Sequence, residues 1–519
     1  MTTQYYPDFF NDVFGPIMQP GSSGGFAGMA RIGNIARDLA GGDLSHVSFQ
    51  FRDPNKTLAP YFNFMSDRGL LGGLLGFLPD DERLFDAYAH AEKAGVTYDF
   101  GFAEMSVENP ESLVAIVTRR DGSTGSLVAS SVGGGMVVVH EVNGFPLTWK
   151  GDTFALISEE LSLEQAKEKY AEKAIRILPL AQKARHATAI LAEFSEFPQR
   201  PKDDRSTVLR PVLPVVTQKD KRPQLFRTME EWRAAADSRG ISFAEAAIEY
   251  EISSSGLSRT EILEKFEEIA AVLEGQIHAL EKMGYENATD TPNLPIYGKL
   301  WNRYTTKREI ISDNLTAHII RHAMSTNAKI PGVKIVPAPM GTGGGYLFSA
   351  LDAVREKIGA THEQLIEALL VAAGLGAIAF TYSNCSGHDG CTAESGICCA
   401  MAAGATCYLA GGDAVAVENA ASMALQSNLG IPCDFIPGGL EFPCITRTIR
   451  AAVTAPLYAD LALSGMDALI PYHEVLQSIA STRNALGSDN ICGQDCGICQ
   501  TPTAKQIMAS YEATIIAKS

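Results

Sequence analysis

Apolar positions follow two different rhythms along this chain. Behind the loop Pro20-Gly21-Ser22-Ser23-Gly24-Gly25-Phe26-Ala27-Gly28, the residues Met29, Ile32, Ile35, Ala36 and Leu39 fall at helical spacing and predict a helix. Leu70-Leu71-Gly72-Gly73-Leu74-Leu75-Gly76-Phe77 predicts another, apolar and broken by glycine, and Phe85 to Ala94 continues the pattern. Between Ser112 and Ile157 the period drops to two: Leu113–Val117, Gly125–Ser131 and Met136–His140 read as strands joined by glycine turns. A small sheet with helices on one face is the expected result, an α+β domain over residues 1–157. Glu159 to Glu196 is helix-prone, with Leu161, Ala166, Tyr170, Ala174 and Ile177 on one side. The polar stretches Phe197–Asp204 and Lys221–Pro223 bring in proline, so residues 158–226 are expected to form a helical, proline-rich linker.

From Thr228 onward the pattern is almost entirely helical. Helices are predicted over 230–238, 242–251, 258–283, 307–324, 349–357, 362–380, 395–410, 413–428, 445–464 and 471–484. Ser242-Phe243-Ala244-Glu245 and Ser258-Arg259-Thr260-Glu261 both have the spacing of a capping box. Residues 227–519 are therefore expected to form a mostly helical domain, with small residues at its centre that let helices approach closely.

Composition narrows the function classes. A chain of 519 residues exceeds one core's usual size, so more than one domain is expected. A formal charge of −17 argues against nucleic acid and anionic membranes as partners. No run of about 18 uncharged apolar residues predicts a membrane span, and Met1 to Asp8 lacks a signal peptide's basic start and apolar core. All ten cysteines lie between Cys385 and Cys499. In a long chain this distribution points to reduced thiols, metal binding and a cytoplasmic setting rather than a disulfide scaffold.

The candidate chemistry centres on Ser383-Asn384-Cys385-Ser386-Gly387-His388-Asp389-Gly390-Cys391-Thr392-Ala393-Glu394. A turn there sets Cys391 at a helix N-terminus, where free amides favour a thiolate. With Cys433 and Cys444 it makes the pattern C-x41-C-x10-C, three sulfur donors able to hold a metal centre with one position open. Cys398, Cys399 and Cys407 lie on a small-residue helix and read as packing, while Cys385 is near enough to line a site. Cys492, Cys496 and Cys499 form C-x3-C-x2-C, a second metal pattern with no barrel around it. Gly343, in Met340-Gly341-Thr342-Gly343-Gly344-Gly345, belongs to a loop suited to contact an anion, as does the loop around Gly24. Arg447, three residues after Cys444, is either a carboxylate partner or one half of an ion pair.

These motifs resemble the iron–sulfur-dependent L-serine dehydratases, and the resemblance runs over most of the chain in the same domain order. Gly15-Pro16-Ile17-Met18 through Ala27-Gly28, Arg31-Ile32-Gly33, Asp80-Asp81-Glu82-Arg83 and Glu141-Val142-Asn143-Gly144-Phe145 are similar to that family's β domain. Pro337-Ala338-Pro339, Ser386-Gly387, Gly390-Cys391, Asn428-Leu429-Gly430 and Pro443-Cys444-Ile445 are similar to its helical catalytic α domain. The resemblance implies a [4Fe–4S] cluster on Cys391, Cys433 and Cys444, with one iron left to take the substrate hydroxyl. Water is then lost by β-elimination, and for serine the products are pyruvate and ammonia. It also implies a homo-oligomer acting on a small β-hydroxy acid.

Two departures bear on the substrate. Where the family's opening loop reads Gly-Pro-Ser-Ser-Ser-His-Thr, Gly25 stands at the histidine and Phe26 at the threonine. A Gly-His-Gly-Thr-Asp element becomes Asn63-Phe64-Met65-Ser66-Asp67, so Phe64 replaces a second histidine. Ser22, Ser23 and Asp67 remain at substrate-side positions. The serines are expected to bind a carboxylate or to bond within the loop, and Asp67 and His388 are the candidate catalytic residues. Serine is the family's usual substrate. The fused type acting on 2-(hydroxymethyl)glutarate, a cysteine desulfidase-like β-eliminase and a non-catalytic cluster-bearing paralogue are the alternatives.

Overall fold

The computed structural model describes residues 6–52, 58, 61–62, 64–182, 186–198, 205–219, 222–289, 296–436, 442–486 and 497–516; at 388 and 511–516 it describes the backbone alone. It divides into two compact units, Gly21–Lys221, and Met1–Pro20 together with Arg222–Ser519. The partition expected from sequence falls at 157 and 226 instead.

In the first unit, α1 (Met29–Ala40) buries Ile32, Ile35, Ala36 and Leu39 as its spacing predicts. It crosses α2 (Ser66–Leu74) at glycines: a Cβ on Gly33 would lie 2.2 Å from the Leu70 carbonyl, and one on Gly73 2.0 Å from that of Ala30. A short helix, α3 (Ala87–Ala94), follows. The main sheet runs β2-β1-β3-β4-β5-β6, with β1 (Leu44–Phe51), β2 (Thr97–Phe102), β3 (Ser112–Arg119), β4 (Thr124–Ser131), β5 (Val137–Val142) and β6 (Phe145–Trp149). Only the β1–β2 pair is parallel. Leu113, Ala115 and Val117 of β3 face the same core as Ile32 and Leu39, the alternation a half-buried strand requires.

The stretch 159–196, expected to be helical, is so only over α4 (Leu163–Tyr170). It continues as β8 (Ala174–Gln182) and β9 (Ala187–Phe194), which with β7 (Phe154–Ser158) and β10 (Ser206–Leu209) make a second sheet ordered β10-β7-β9-β8. Pro179 bars a helix interior but is tolerated on the edge strand β8, and β9 is buried nearly throughout because it pairs on both sides. Cross-strand pairing overrode a local helical preference.

The second unit is helical: α5 (Met229–Arg239), α6 (Phe243–Ser255), α7 (Arg259–Ile277), α8 (Ala279–Met283), α9 (Tyr297–Thr305), α10 (Asn314–Asn327), α11 (Gly343–Ile358), α12 (His362–Tyr382), α13 (Ile397–Leu409), α14 (Ala414–Gln426), α15 (Cys444–Leu463), α16 (Tyr472–Ala485) and α17 (Pro502–Ile516). Ser258 and Glu261 complete a reciprocal capping box, whereas Ser242 only accepts the Glu245 amide. The π turn Phe9–Val13 belongs here because Phe9 stacks on Tyr250 at 5.4 Å and Phe14 meets Phe266 edge-on at 5.9 Å. Close approach through small residues is realised at Gly374, whose added Cβ would sit 2.1 Å from the Trp232 ring, and at Gly404 beside Leu375. Among the described residues α12 alone is long and apolar enough to cross a membrane, and most of it is buried inside this unit.

Gly73→Ala is expected to destabilise the first unit by roughly 1–3 kcal/mol, since backbone must shift to admit the methyl. Gly275→Ala, in open space within α7, is expected to stabilise by roughly 0.5–1 kcal/mol. Thermal unfolding midpoints of the two variants check both signs.

Candidate active site

In the helical unit, Cys391 opens a run of helical backbone. The π turn Thr392–Gly396 follows it and leads directly into α13. Cys433 lies in the segment after α14, and Cys444 is the first residue of α15. Hydrogen bonds fasten these segments together. The Thr392 hydroxyl donates to the Asn428 carbonyl (2.7 Å) and accepts from the Ile431 amide (3.1 Å). Gly390, at φ +87°, lies so close that a Cβ would come 2.6 Å from the Ile431 carbonyl.

Arg447 completes the arrangement. One guanidinium nitrogen donates to the Pro432 carbonyl (2.9 Å) and to the Asp434 carboxylate (2.6 Å), the residues on either side of Cys433. Burial works against the Arg447 charge, but Asp434 and the sulfurs of Cys391 and Cys444 outweigh it and raise its pKa. Burial likewise raises the Cys391 thiol, against the Ser395 hydroxyl at 2.8 Å and the Arg447 guanidinium. One cation thus reaches all three cysteine-bearing segments. This is the environment that makes thiols into ligands once a metal is present.

The remaining cysteines behave differently. Cys398 donates to the Gly343 carbonyl (3.3 Å) and Cys399 to that of Ala451 (3.4 Å). Burial pushes the Cys399 thiol up to about 11 and Cys407 to about 12, and it raises Cys385 as well. These four are buried thiols in a packed interior. Gly343 starts α11, donates its own amide to the Met340 carbonyl (2.8 Å), and has no room for a side chain beside the Ala338 carbonyl. Asp389 pairs with Arg483 at 3.7 Å. The backbone of His388 lies on the turn Gly387–Asp389, but its side chain falls outside the described residues. Cys492 and Cys496 also fall outside them. Cys499 is buried on the turn Gly497–Gln500, which docks through the Ile498 amide on Asp434 (2.9 Å), one residue from Cys433.

In the α+β unit, Ser22 caps the π turn Ser23–Gly28 by accepting the Gly25 amide at 3.0 Å, which leaves its proton available. Ser23 is buried in that turn. Asp67 is buried in the first turn of α2 and accepts from the Tyr88 hydroxyl; burial raises its pKa and that bond opposes the rise. The two departures from the family pattern meet here, because a Cβ on Gly25 would lie 2.5 Å from Cβ of Phe64. Cβ and Cγ of Phe64 fill the space that a side chain at 25 would need, so the two positions lie directly against each other.

Sequence reasoning missed two groups in this unit. The carboxylate of Glu111 approaches Gly24 so closely that a Cβ there would be 2.7 Å from Oε2, and burial pushes its pKa up to about 7 against a Ser131 hydrogen bond. Ser112, Ser130 and His140 form a line across β3, β4 and β5, with 2.6 Å between the hydroxyls and 2.7 Å to the imidazole. Neither has a sequence signature, since the partners are distant in the chain and meet only once it has folded.

A chain made of an α+β unit with a serine turn and a helical unit with three cysteines has the two-part make-up of the dehydratase class of lyases, and its relatives place it there. The profile of the serine dehydratase alpha chain matches residues 238–497. The L-serine dehydratase alpha chain of Peptoniphilus asaccharolyticus is 28% identical over 264 residues, which cover 50% of this chain and 90% of that one. The beta chain from the same organism is 30% identical over 149 residues, 28% of this chain and 66% of that one. The L-serine dehydratase of Streptomyces coelicolor is 33% identical over 175 residues, 33% of this chain and 38% of that one. The chain belongs to the iron–sulfur L-serine dehydratase family.

Gly25→Ala is expected to destabilise and Phe64→Gly to relieve the clash, giving a coupling of roughly 0.5–3 kcal/mol in a double-mutant cycle measured by unfolding. Glu111 binds its proton more tightly folded than unfolded. Stability is therefore expected to fall as pH rises from about 4.5 to about 7 and then level off. Glu111→Gln is expected to flatten that slope in a series of thermal midpoints against pH.

Proposed function

We propose that this chain is a [4Fe–4S]-dependent hydro-lyase that eliminates water from a small β-hydroxy carboxylate. L-serine, giving pyruvate and ammonia, is the first reading. The observation that carries it is the Arg447 guanidinium tied to the segments of Cys391, Cys433 and Cys444 at once. Cys391, Cys433 and Cys444 are the residues that would hold the cluster. When bound, the cluster supplies a Lewis-acidic iron that makes a substrate hydroxyl a better leaving group. Arg447 keeps the Cys433 segment in place, and Cys499 stands beside that segment as a candidate for a further contact. Ser22 and Ser23 are suited to orient the substrate carboxylate with the hydroxyl proton that capping leaves free. Asp67, whose proton affinity burial raises, and His388 are the candidates to take the α-proton.

The division into a β-like domain (1–157), a connection (158–226) and an α-like domain (227–519) belongs to the same proposal. It is supported by separate matches to an alpha and a beta chain. A cytoplasmic homo-oligomer is proposed on the family resemblance, with no nucleic acid or membrane partner.

The Gly25–Phe64 pair favours a second reading. An apolar ring in place of two imidazoles removes polar groups from the serine turn, which suits a substrate without an amino group, such as 2-(hydroxymethyl)glutarate. Anaerobically purified protein assayed with serine, threonine, cysteine and hydroxymethyl dicarboxylates separates these readings. Ammonia release supports serine, an unsaturated acid without ammonia supports the second reading, and sulfide release indicates the desulfidase. Cys391→Ser is expected to lose iron, colour and turnover together. A colourless, iron-free wild type that turns over none of these substrates rejects the proposal.

A further inference from the structure

The helical unit holds a second constellation of metal-binding side chains, well away from the cysteines. His278 follows the last turn of α7, His322 lies on α10 four residues after His318, and Asp352 lies on α11. His278 Nε2 is 3.9 Å and His322 Nδ1 3.8 Å from the same oxygen, Asp352 Oδ2. The three ligand atoms lie within 4.8 Å of one another. His322 and Asp352 are 1% and 2% exposed. Neither His322 Nδ1 nor Asp352 Oδ2 has a hydrogen-bond partner, a state that costs roughly 1–3 kcal/mol for each buried group.

The neighbouring contacts favour one placement of the protons. His318 Nδ1 faces Glu356 Oε2 at 3.5 Å, and His318 Nε2 meets His322 Nε2 at 3.0 Å. A proton on His318 Nδ1 serves Glu356, which leaves His318 Nε2 to accept from His322 Nε2 and puts a lone pair on His322 Nδ1. His278 Nδ1 faces Glu281 Oε2 at 3.4 Å, so its proton belongs there and its Nε2 lone pair also points at Asp352. With the protons so placed, three lone pairs converge on one point, an arrangement that a bound cation satisfies. The outer partners match those of a bound metal: each imidazole is oriented by a group on its far nitrogen, and Arg355 holds the other Asp352 oxygen at 2.8 Å. Around the site, the carboxylates of Asp352, Glu281 and Glu356 outnumber the guanidiniums of Arg355 and Arg321.

We propose that His278 Nε2, His322 Nδ1 and Asp352 Oδ2 bind a divalent first-row transition-metal ion, with zinc the best match. Two imidazoles and a carboxylate form a donor set suited to zinc. Zinc bonds of about 2.0–2.2 Å in a tetrahedron place ligand atoms roughly 3.4 Å apart, so closure needs each imidazole to approach the carboxylate by about half an ångström and the two imidazole nitrogens to approach each other by up to about 1.4 Å. The fourth position opens on the side of His278, the only one of the three with appreciable exposure, and takes water. Asp352 lies nine residues along α11 from Gly343, where Cys398 bonds, or roughly 13 Å of helix. The ion therefore braces the end of α7 against the middle of α10 and of α11, at a distance from the reaction.

The test uses full-length, anaerobically purified protein equilibrated with zinc chloride, gel-filtered, and analysed for zinc and iron by mass spectrometry. Wild type is expected to carry one zinc per chain beyond its iron and to unfold at a higher temperature than zinc-free protein. Asp352→Asn is expected to lose the zinc and keep the iron. His278→Ala, at the partly exposed ligand where folding is least at risk, is expected to weaken zinc binding at least tenfold. Zinc retained at full affinity in both variants overturns the site, as does zinc that disappears with Cys391→Ser, or a wild type that binds none. Because iron is counted separately, failure here is distinguishable from failure of the proposed cluster.

Discussion

The buried ion pair between Arg447 and Asp434 is the contact on which the cysteine centre depends. Its side chains are 17% and 3% exposed, so removing one partner strands the other's charge out of water, at a cost of roughly 3–5 kcal/mol. The pair is built across a loop rather than along a helix. Asp434 follows Cys433, Arg447 follows Cys444 by three residues, and the same guanidinium holds the carbonyl that precedes Cys433. Asp434 is also the anchor for the turn carrying Cys499. A hydrophobic pair of similar volume would serve stability as well, but it would hold neither the Pro432 carbonyl nor the Ile498 amide.

Behind this contact stands a scaffold of closely spaced helices. Gly374 and Gly404 let α12 approach Trp232 and α13 approach Leu375, so α13 is clamped along its length and Cys391 sits at the head of a rigid element. The same device operates in the α+β unit, where Gly33 and Gly73 let α1 and α2 cross with backbone in contact. There Gly69 lets α2 lie against the Ser23–Gly28 turn, where an added Cβ would be 2.5 Å from the Phe26 carbonyl. Two halves of different architecture thus present their polar residues from helix N-termini backed by glycine contacts. At such ends amides are unpaired within the helix and the macrodipole favours negative charge.

The helical half was legible because its signals are local. Apolar residues recur every three or four positions, and Ser258 with Glu261, only three apart, closes a capping box that sequence alone announces. The strands β3, β4 and β5 were legible for the same reason, since alternation is written into consecutive residues. The second sheet was not: Leu161, Ala166, Tyr170, Ala174 and Ile177 do fall at helical spacing, yet β8 and β9 pair with each other and with β7. Their burial is set by partners elsewhere in the chain. Phe9 and Phe14 likewise show no preference by themselves, and Tyr250 and Phe266 decide where the π turn packs.

By itself, the sequence determined the fold class, because periodicity and caps are properties of a chain read in one dimension, and its short motifs carried the resemblance to the family. Only the tertiary structure decided that Gly25 and Phe64 lie against each other. It alone showed that Arg447 serves Asp434, that Glu111 meets the serine turn, and that His278, His322 and Asp352 share a point. Each of these is a meeting of residues between 13 and 87 positions apart. Contacts of that kind carry no local signature, because the free energy that forms them comes from burial and pairing once the chain has closed on itself.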